Sequence, residues 1–372
     1  MKLASVFLSF LACAATARAD LTDGLLAAYF FDGNAEDASG RGHDAQLIGA
    51  TFTVDRHGNP NGALWLDGQG AYAATPVSGK RFPIAFSFWL RLDARRGERA
   101  FSVVDSGIGN AFGHSFVIGN NARTFNANLA VPARFRSGEW AHVVVSYGPK
   151  LQVFVNGELA GERDYSEDDS YIAGNFQLGR HLDSEDPRFF HGAIDDVLIY
   201  ARTLQADEVR ALYAEGPRVA ADIRAAAELR RRVLAALAAR SVASEGMESS
   251  ADDPRPIFVA ASSGAEPHTN VWHVVDRDPD SLWSGAAGEP AWWIAAEFHP
   301  SLALKNLVVE TPDGIATNTR IFISETADEW PEFDPVDAKF DPPTARFILV
   351  TFPPDEGGQP PTVTEIRWNA EE

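Results

Sequence analysis

The sequence WAHVVVSYGPKLQVFVNGELAG, residues 140–161, is the clearest indication of the fold class. Apolar residues recur at every second position in both of its runs, and Val143, Val145 and Tyr147 share one face of the first run. Asn156 and Gly157 separate two such runs, which is the strongest short-range signal for a β-hairpin because both central turn positions need a positive φ. The stretch therefore predicts antiparallel strands joined by a tight turn.

Similar short runs, punctuated by Gly, Asn and Asp, extend over residues 24–200, and they include FSFWLRL at 86–92 and IDDVLIY at 194–200. Many antiparallel strands with tight turns are typical of a two-sheet sandwich. The run ends in TLQADEVRALY at 203–213, which predicts a short helix that begins near Thr203 or Gln205. Asp207 and Glu208 would then lie in the first turn, where the helix dipole favours acidic side chains.

A change in composition separates this region from a second one. Residues 217–243 are rich in Ala, Leu and Arg, with apolar side chains at positions 219, 223, 226, 233, 234 and 237. This spacing predicts an amphipathic helix that packs one stripe against a neighbouring domain. A polar segment follows at 244–256, and strand-like runs resume from Ile257 to Trp368. The prediction is an all-β protein: two β-sandwich (jelly-roll) domains, 20–213 and 257–372, joined by an α-helical linker and polar segment over 214–256.

The first nineteen residues, MKLASVFLSFLACAATARA, have the pattern of a secretory signal peptide with cleavage after Ala19. We therefore expect a secreted or periplasmic protein. The single cysteine, Cys13, lies inside this signal, so the mature chain would hold no internal disulfide. A lipid attached to Cys13 is the alternative. No later segment approaches the ~20 apolar residues of a membrane span.

The formal net charge is -20, with 52 acidic against 32 basic residues. Such a surface repels phosphate backbones, which argues against a nucleic-acid partner. It is compatible with neutral glycans and with divalent cations.

Successive blocks of the first region resemble the laminin-G-like, concanavalin A-like jelly-roll family of secreted bacterial proteins. They cover nearly all of residues 21–213, in the family's order: GLLAAYFFDGNAEDASGRGHDAQLIGATF, ALWLDGQGAYA, FSFWLRL, GEWAHVVVSYGPKLQVFVNGELAG, FQLGR and FHGAIDDVLIYARTLQADEVRALY. The block VVDRDPDSLW at 274–283 is similar to a loop of the discoidin-type, galactose-binding-like fold, and the resemblance covers about 257–369. Arg277 and Ser281 depart from that family's usual Gly and Thr.

Both resemblances imply structural calcium, which prefers hard oxygen ligands. In the first region the implied ligands are Asp32 and Asp195, with Asp196 turned to the other face by strand alternation. A plain solvated carboxylate at the start of a strand is the alternative there. In the second region the stretch DRDPDS supplies Asp276, Asp278 and Ser281 within six residues, and the resemblance adds Glu365 as a ligand. A loop that holds no ion is the alternative there. The charge of Arg277 would oppose a cation unless its side chain points away.

No strand carries the paired carboxylates with which jelly-roll glycosidases attack a sugar. The acidic stretches at 166–171 and 183–187 are predicted to be loops, and the histidines lack a metal-ligand spacing such as His-Glu-x-x-His. Exposed aromatic side chains beside hydrogen-bonding groups would mark a sugar site, and Trp272, Trp292, Trp330 and Arg320 are candidates with a structural role as the alternative.

We therefore expect a non-catalytic protein that binds an extracellular glycan or another cell-surface partner, with calcium as scaffold. A structural or adhesion protein that binds protein partners is the alternative, followed by a glycoside hydrolase or lyase. Because fold alone does not establish function, this expectation rests on analogy.

Overall fold

The computed structural model describes most of the chain. The described residues are 21–93, 101–107, 114–118, 122–124, 129–131, 135–166, 173–181, 188–239, 255–262, 271–278, 280–289, 291–316, 319–326, 330, 332–333, 342–352 and 359–369. The predicted signal peptide, residues 240–254 of the predicted linker and the greater part of both acidic loops lie outside these ranges.

The first half of the described chain is built from strands. They are β1 Leu25–Tyr29, β2 Gln46–Ile48, β3 Thr51–Thr53, β4 Ala63–Asp67, β5 Tyr72–Ser78, β6 Ile84–Leu92, β7 Phe101–Gly107, β8 Ser115–Ile118, β9 Ala122–Thr124, β10 Leu129–Val131, β11 Trp140–Tyr147, β12 Lys150–Val155, β13 Glu158–Asp164, β14 Ala173–Leu178, β15 Arg180–His181, β16 Arg188–Phe189 and β17 His191–Tyr200.

These strands form two antiparallel sheets. The β6 sheet has the order β13-β12-β11-β6-β17-β4-β3, and β1 also pairs with β17. The β14 sheet has the order β10-β9-β8-β7-β14-β5-β2, and β15 pairs with β16 in a separate ribbon. The hairpin predicted from Asn156-Gly157 joins β12 to β13, and both residues have a positive φ, of 51° and 84°. Strands that are far apart in the sequence therefore pair with each other in the sheets, as in other β-sandwiches.

The core of the first sandwich lies between these two sheets. Phe86, Phe88 and Phe176 pack there with ring centroids 5.6–6.2 Å apart, and Val143, Val145 and Tyr147 point into it as predicted. Val144 points the opposite way and is also fully buried, because helices cover the back of the β6 sheet. β11 is therefore buried on both faces.

Two α-helices occur among the described residues, α1 Ala206–Ala214 and α2 Gly216–Ala239. α1 begins after Gln205, whose backbone N–H donates to Glu208 Oε2 at 2.7 Å. This bond is one half of a capping box, and it satisfies the backbone amide of Gln205. No described helix is both long enough and apolar enough to cross a membrane.

The chain after α2 returns to strands. They are β18 Pro256–Ala261, β19 Trp283–Ser284, β20 Trp292–Ala303, β21 Leu307–Thr311, β22 Gly314–Ile315, β23 Arg320–Ser324, β24 Thr344–Phe352, β25 Thr362–Val363 and β26 Glu365–Trp368, with a 3-10 helix at Val271–Val275. The β24 sheet has the order β18-β20-β24-β23, and two smaller sheets pair β19 with β25 and β21 with β22 and β26. The all-β prediction is confirmed, whereas the exact domain boundaries stay a prediction.

α2 packs at both of its ends. Val219 and Ile223 join the apolar cluster behind the β6 sheet, and Val233 and Leu237 join a cluster on the outer face of the β24 sheet. The sequence predicted one apolar stripe against one neighbour. The structure instead has the two ends of one stripe packing against two different sheets, so the helix connects both β regions.

Candidate functional site

Arg56 binds both of the adjacent carboxylates in β17. Its guanidinium lies 3.1 Å from Asp195 Oδ2 and 2.5 Å from Asp196 Oδ2. We call these three residues the Arg56 cluster. Strand alternation predicted that Asp196 faces away from Asp195, and that prediction was wrong. A β-bulge lies between Asp195 and Leu198, and Asp196 has a left-handed φ of 45°, so both carboxylates reach the same guanidinium.

The Arg56 cluster is buried behind the β6 sheet. The guanidinium stacks on Trp89 at 4.5 Å, and Trp89 stacks in turn on Tyr213 of α1 with ring centroids 5.6 Å apart. Burial and the adjacent charge of Asp196 raise the pKa of Asp195, and the positive charge of Arg56 opposes this rise. The arginine therefore keeps two buried acids compatible with the fold.

The carboxylates predicted to bind calcium in the first sandwich are engaged by arginines. Asp195 bonds Arg56, and Asp32 bonds Arg224 of α2. The guanidinium groups occupy the positions beside these carboxylates and neutralise their negative charge, so a calcium ion would have to displace them. The residues present therefore do not fit a calcium ion, and we place none here.

The four predicted ligands in the second β region are brought together in part. We call residues 276–281 the Asp276 loop. Ser281 Oγ lies 2.9 Å and 3.1 Å from the two carboxylate oxygens of Asp276, and 2.9 Å from the carbonyl oxygen of Asp278. The side chain of Asp278 is exposed and accepts the backbone N–H of Asp280 at 3.0 Å. Asp278 therefore offers its carbonyl to this loop.

Glu365, at the start of β26, completes the arrangement. Burial and the negative charge of Asp276 raise the pKa of Glu365 to about 7, and a hydrogen bond from the backbone N–H of Arg277 opposes the rise. Arg277 has a left-handed φ of 64°, a backbone conformation that favours Gly, and its side chain is exposed. Two neighbouring carboxylates with hydroxyl and carbonyl oxygens are a donor set that suits calcium. Among the described residues, no group of three or more His, Cys, Asp or Glu side chains is placed to bind a metal.

A buried acid on the outer face of the β14 sheet was not predicted from the sequence. Asp105 of β7 is fully buried and contacts His181 Nδ1 through its carboxylate. Gln177 and Ser115 lie opposite Asp105 on the neighbouring strands, so polar groups meet at one level of the sheet. The sequence offered one indication of this site, the single acid in the apolar run FSVVDSG. It did not identify the partner of Asp105, because His181 lies 76 residues away.

Aromatic side chains lie beside these polar groups. The guanidinium of Arg180 stacks on Tyr72 at 4.6 Å, and Tyr72 packs near Phe189 with ring centroids 6.5 Å apart. All three side chains are half-buried. Arg180 Nε is buried with no hydrogen-bond partner in the described part of the chain. A half-buried guanidinium group next to partly exposed aromatic side chains is suited to a polar ligand that also presents an apolar surface.

The tryptophans proposed from sequence as sugar contacts have different environments. Trp292 is buried and belongs to the second core, which excludes it as a contact surface. Trp272 is half-buried in the 3-10 helix, and Trp330 is half-buried near Phe347. Arg320 does bind a carboxylate in bidentate fashion, but the partner is Glu332 of the same chain, at 2.7 Å and 3.2 Å.

A family comparison agrees with this architecture. Residues 67–210 match the profile of Laminin_G_3, described as the concanavalin A-like lectin/glucanases superfamily. The first sandwich has the concanavalin A-like fold. The discoidin-type resemblance of residues 257–369 stays a prediction. A search of curated proteins gave no match.

Several solved structures are similar to the chain at low identity. The Trypanosoma rangeli sialidase is 19% identical, with a TM-score of 0.44, over 53% of this chain and 33% of the sialidase. Domain 4 of AbnA, an extracellular GH43 arabinanase from Geobacillus stearothermophilus, is 19% identical, with a TM-score of 0.41, over 51% of this chain and 98% of that domain. A pectin-binding carbohydrate-binding module is 19% identical, with a TM-score of 0.26, over 32% of this chain and 94% of the module. The chain thus spans about a third of the sialidase.

Proposed function

We propose that this chain is an exported, non-catalytic carbohydrate-binding protein whose glycan site is the outer face of the β14 sheet. The observation that carries the proposal is the half-buried group formed by Tyr72, Phe189 and Arg180 at that face. Aromatic faces would cover the apolar side of a pyranose ring, and the guanidinium group of Arg180 would donate hydrogen bonds to its hydroxyls.

The distribution of acids supports binding without cleavage. Most glycosidases use two carboxyl groups about 5 to 9.5 Å apart. The strands of the β14 sheet together contain one acidic residue, Asp105, which is buried against His181. The described strands of this face therefore offer no second acid to act with it.

Calcium belongs to the proposal as a structural ion of the second β region. Asp276, Ser281, Glu365 and the carbonyl of Asp278 would be its ligands. The charge of the ion would offset the proximity of two carboxylates, one of them buried. The loop would thereby be fixed against β26. Export through the predicted signal peptide is part of the same proposal.

A glycan array with calcium and with a chelator tests the function. We expect binding to at least one glycan, and we expect Tyr72→Ala to weaken it about tenfold because it removes the stacking surface. Tyr213→Ala is the matched control, because Tyr213 is partly exposed on the opposite side of the sandwich, next to Trp89. Equal binding by wild type and Tyr72→Ala would remove this face as the site.

Two other results would favour the rival functions. If no glycan binds and a purified cell-surface protein does, the chain is an adhesion protein. If incubation with a polysaccharide panel releases reducing ends, the chain is a hydrolase or lyase, and the non-catalytic account is wrong.

A further inference from the structure

A cleft lies where the first sandwich, α2 and the β24 sheet meet. It consists of two adjoining cavities of about 180 and about 170 Å³. Six residues line both cavities: Thr22, Leu25, Arg41, Arg320, Phe322 and Trp330. Together the cavities reach the lower end of the size range of small-molecule sites, at about 300 Å³.

α2 forms one wall of the cleft and fixes its width. Ile223 and Val233 both line it, and each is almost fully buried. Ile223 packs in the cluster behind the β6 sheet, whereas Val233 packs in the cluster on the β24 sheet. Because one helix is anchored in both clusters, the two sides of the cleft are held by packed side chains.

The lining carries more positive than negative charge. Among the described residues, four arginines line the two cavities, Arg41, Arg81, Arg230 and Arg320, against two acids, Asp23 and Glu332. Glu332 bonds Arg320 at 2.7 Å, and Asp23 lies 3.4 Å from Arg202. This excess occurs in a chain whose formal net charge is -20. The described lining therefore carries more basic than acidic side chains, and basic side chains favour an anionic ligand.

The same cleft also has an aromatic wall. Phe322 and Trp330 are half-buried, and the guanidinium of Arg320 stacks on Phe322 at 4.9 Å. A bare inorganic anion would gain nothing from these rings. A sugar ring that bears a carboxylate would use both features, with its apolar face on an aromatic side chain and its carboxylate on an arginine fork.

We propose that this cleft is a second binding site and that its ligand is a carboxylate-bearing saccharide. That the ligand is a saccharide rests on the proposed function. That it carries a carboxylate rests on the arginine and aromatic side chains of the cleft. The cleft is separate from the outer face of the β14 sheet, because Tyr72, Arg180 and Phe189 do not line the cleft.

Isothermal titration calorimetry of the full chain tests this site with three probes of equal length. They are a hexuronic acid oligosaccharide, its carboxyl-reduced counterpart and a sialylated oligosaccharide. We expect at least one acidic probe to bind, and reduction of the carboxyl to weaken the hexuronate about tenfold to hundredfold, as loss of a charge-assisted hydrogen bond requires. The two acidic probes distinguish the sources of the carboxylate.

Matched arginine variants locate the site. Arg41→Ala and Arg230→Ala should each weaken the acidic probe about tenfold or more. Arg231→Ala is the control and should bind as wild type, because Arg231 is 71% exposed, pairs with Glu228 and does not line the cleft. If Arg230→Ala fails to fold, as its melting curve would show, Arg41→Ala still decides the point.

The outcomes separate this proposal from the proposed function. The cleft site is overturned if both cleft variants bind the acidic probe as tightly as wild type. It is also overturned if the chain binds only neutral glycans. Neither result contradicts the proposal that the chain binds a glycan. If Tyr72→Ala loses binding of the acidic probe and Arg41→Ala does not, the probe binds to the outer face of the β14 sheet, and the cleft proposal is overturned. Binding of no saccharide overturns both proposals.

Discussion

Arg56 is the residue on which the polar interior behind the β6 sheet depends. Its side chain is 9% exposed, and it supplies the positive charge for Asp195 and Asp196, whose side chains are 3% and 19% exposed. Buried ion pairs add little net stability, but removal of one partner leaves an uncompensated buried charge. The cluster therefore stabilises the fold only while it is complete.

We expect Arg56→Ala to lower the free energy of unfolding by about 3 to 5 kcal/mol at pH 7, measured by urea denaturation. The loss should be largest above about pH 9 and should shrink as the pH falls, because burial raises the pKa of Asp195 to about 9 and also raises the pKa of Asp196, so both carboxyl groups become neutral. Arg136→Ala is the control and should stay within about 0.5 kcal/mol of wild type, since Arg136 is 78% exposed. A loss below 1 kcal/mol in Arg56→Ala would refute this role.

The buried side chain of His142 should make the free energy of unfolding depend on pH. It is buried, its Nε2 lies 2.9 Å from Ser87 Oγ, and burial followed by the charge of Arg56 lowers its pKa to about 3. The ordinary pKa of histidine is about 6.5, so below that pH the unfolded chain binds a proton that the folded chain does not. The contribution of neutral His142 is fully present above pH 6.5 and is lost as the pH falls toward 3.

The slope of unfolding free energy against pH measures this effect. Between pH 4 and 6 we expect His142→Gln to reduce the slope by up to about 1.4 kcal/mol per pH unit, which corresponds to one proton. His114 is also buried, with a pKa lowered to about 4, so part of the slope should remain. Identical slopes in wild type and variant would mean that His142 takes up its proton in the folded state.

At the scale of elements, the Asp276 loop is where calcium should act. Removal of a ligand that binds only the folded state lowers the melting temperature. We expect a chelator to lower that temperature by several degrees and Glu365→Gln to abolish the shift. Asp32→Asn should keep the full shift, because Asp32 pairs with Arg224. A melt that does not change at saturating chelator would argue against the ion.

The sequence predicted elements that depend on local rules. Asn156-Gly157 turns with positive φ at both residues, and α1 begins at Gln205 with Glu208 in its first turn, because turn and cap chemistry act over a few residues. Alternation failed at Asp196, where a bulge shifts the register between β17 and β6. A bulge is set by packing against the neighbouring strand, which one strand's sequence does not reveal.

The candidate sites were harder to predict because their partners are remote in sequence. Arg56 and Asp195 are 139 residues apart, and Asp105 and His181 are 76 apart. Only the pairing of distant strands brings them together. Asp276 and Ser281 were predicted together because they share one short loop, and a family pattern supplied Glu365.

At the scale of the whole molecule, α2 unites two β regions that are otherwise separate in sequence. Its first turns complete the back of the concanavalin A-like sandwich, and its last turns cover the β24 sheet. The two proposed saccharide sites are therefore carried on one connected body. Neither the helix periodicity nor the linker composition alone specified this double anchoring.

We propose above all that the chain binds a glycan and leaves it intact. Titration of the full chain with the strongest glycan from the array, followed by mass analysis of the glycan recovered after prolonged incubation, tests both parts. We expect saturable binding and a recovered glycan of unchanged mass. Shorter products with new reducing ends, or no saturable binding to any glycan, would contradict the proposal.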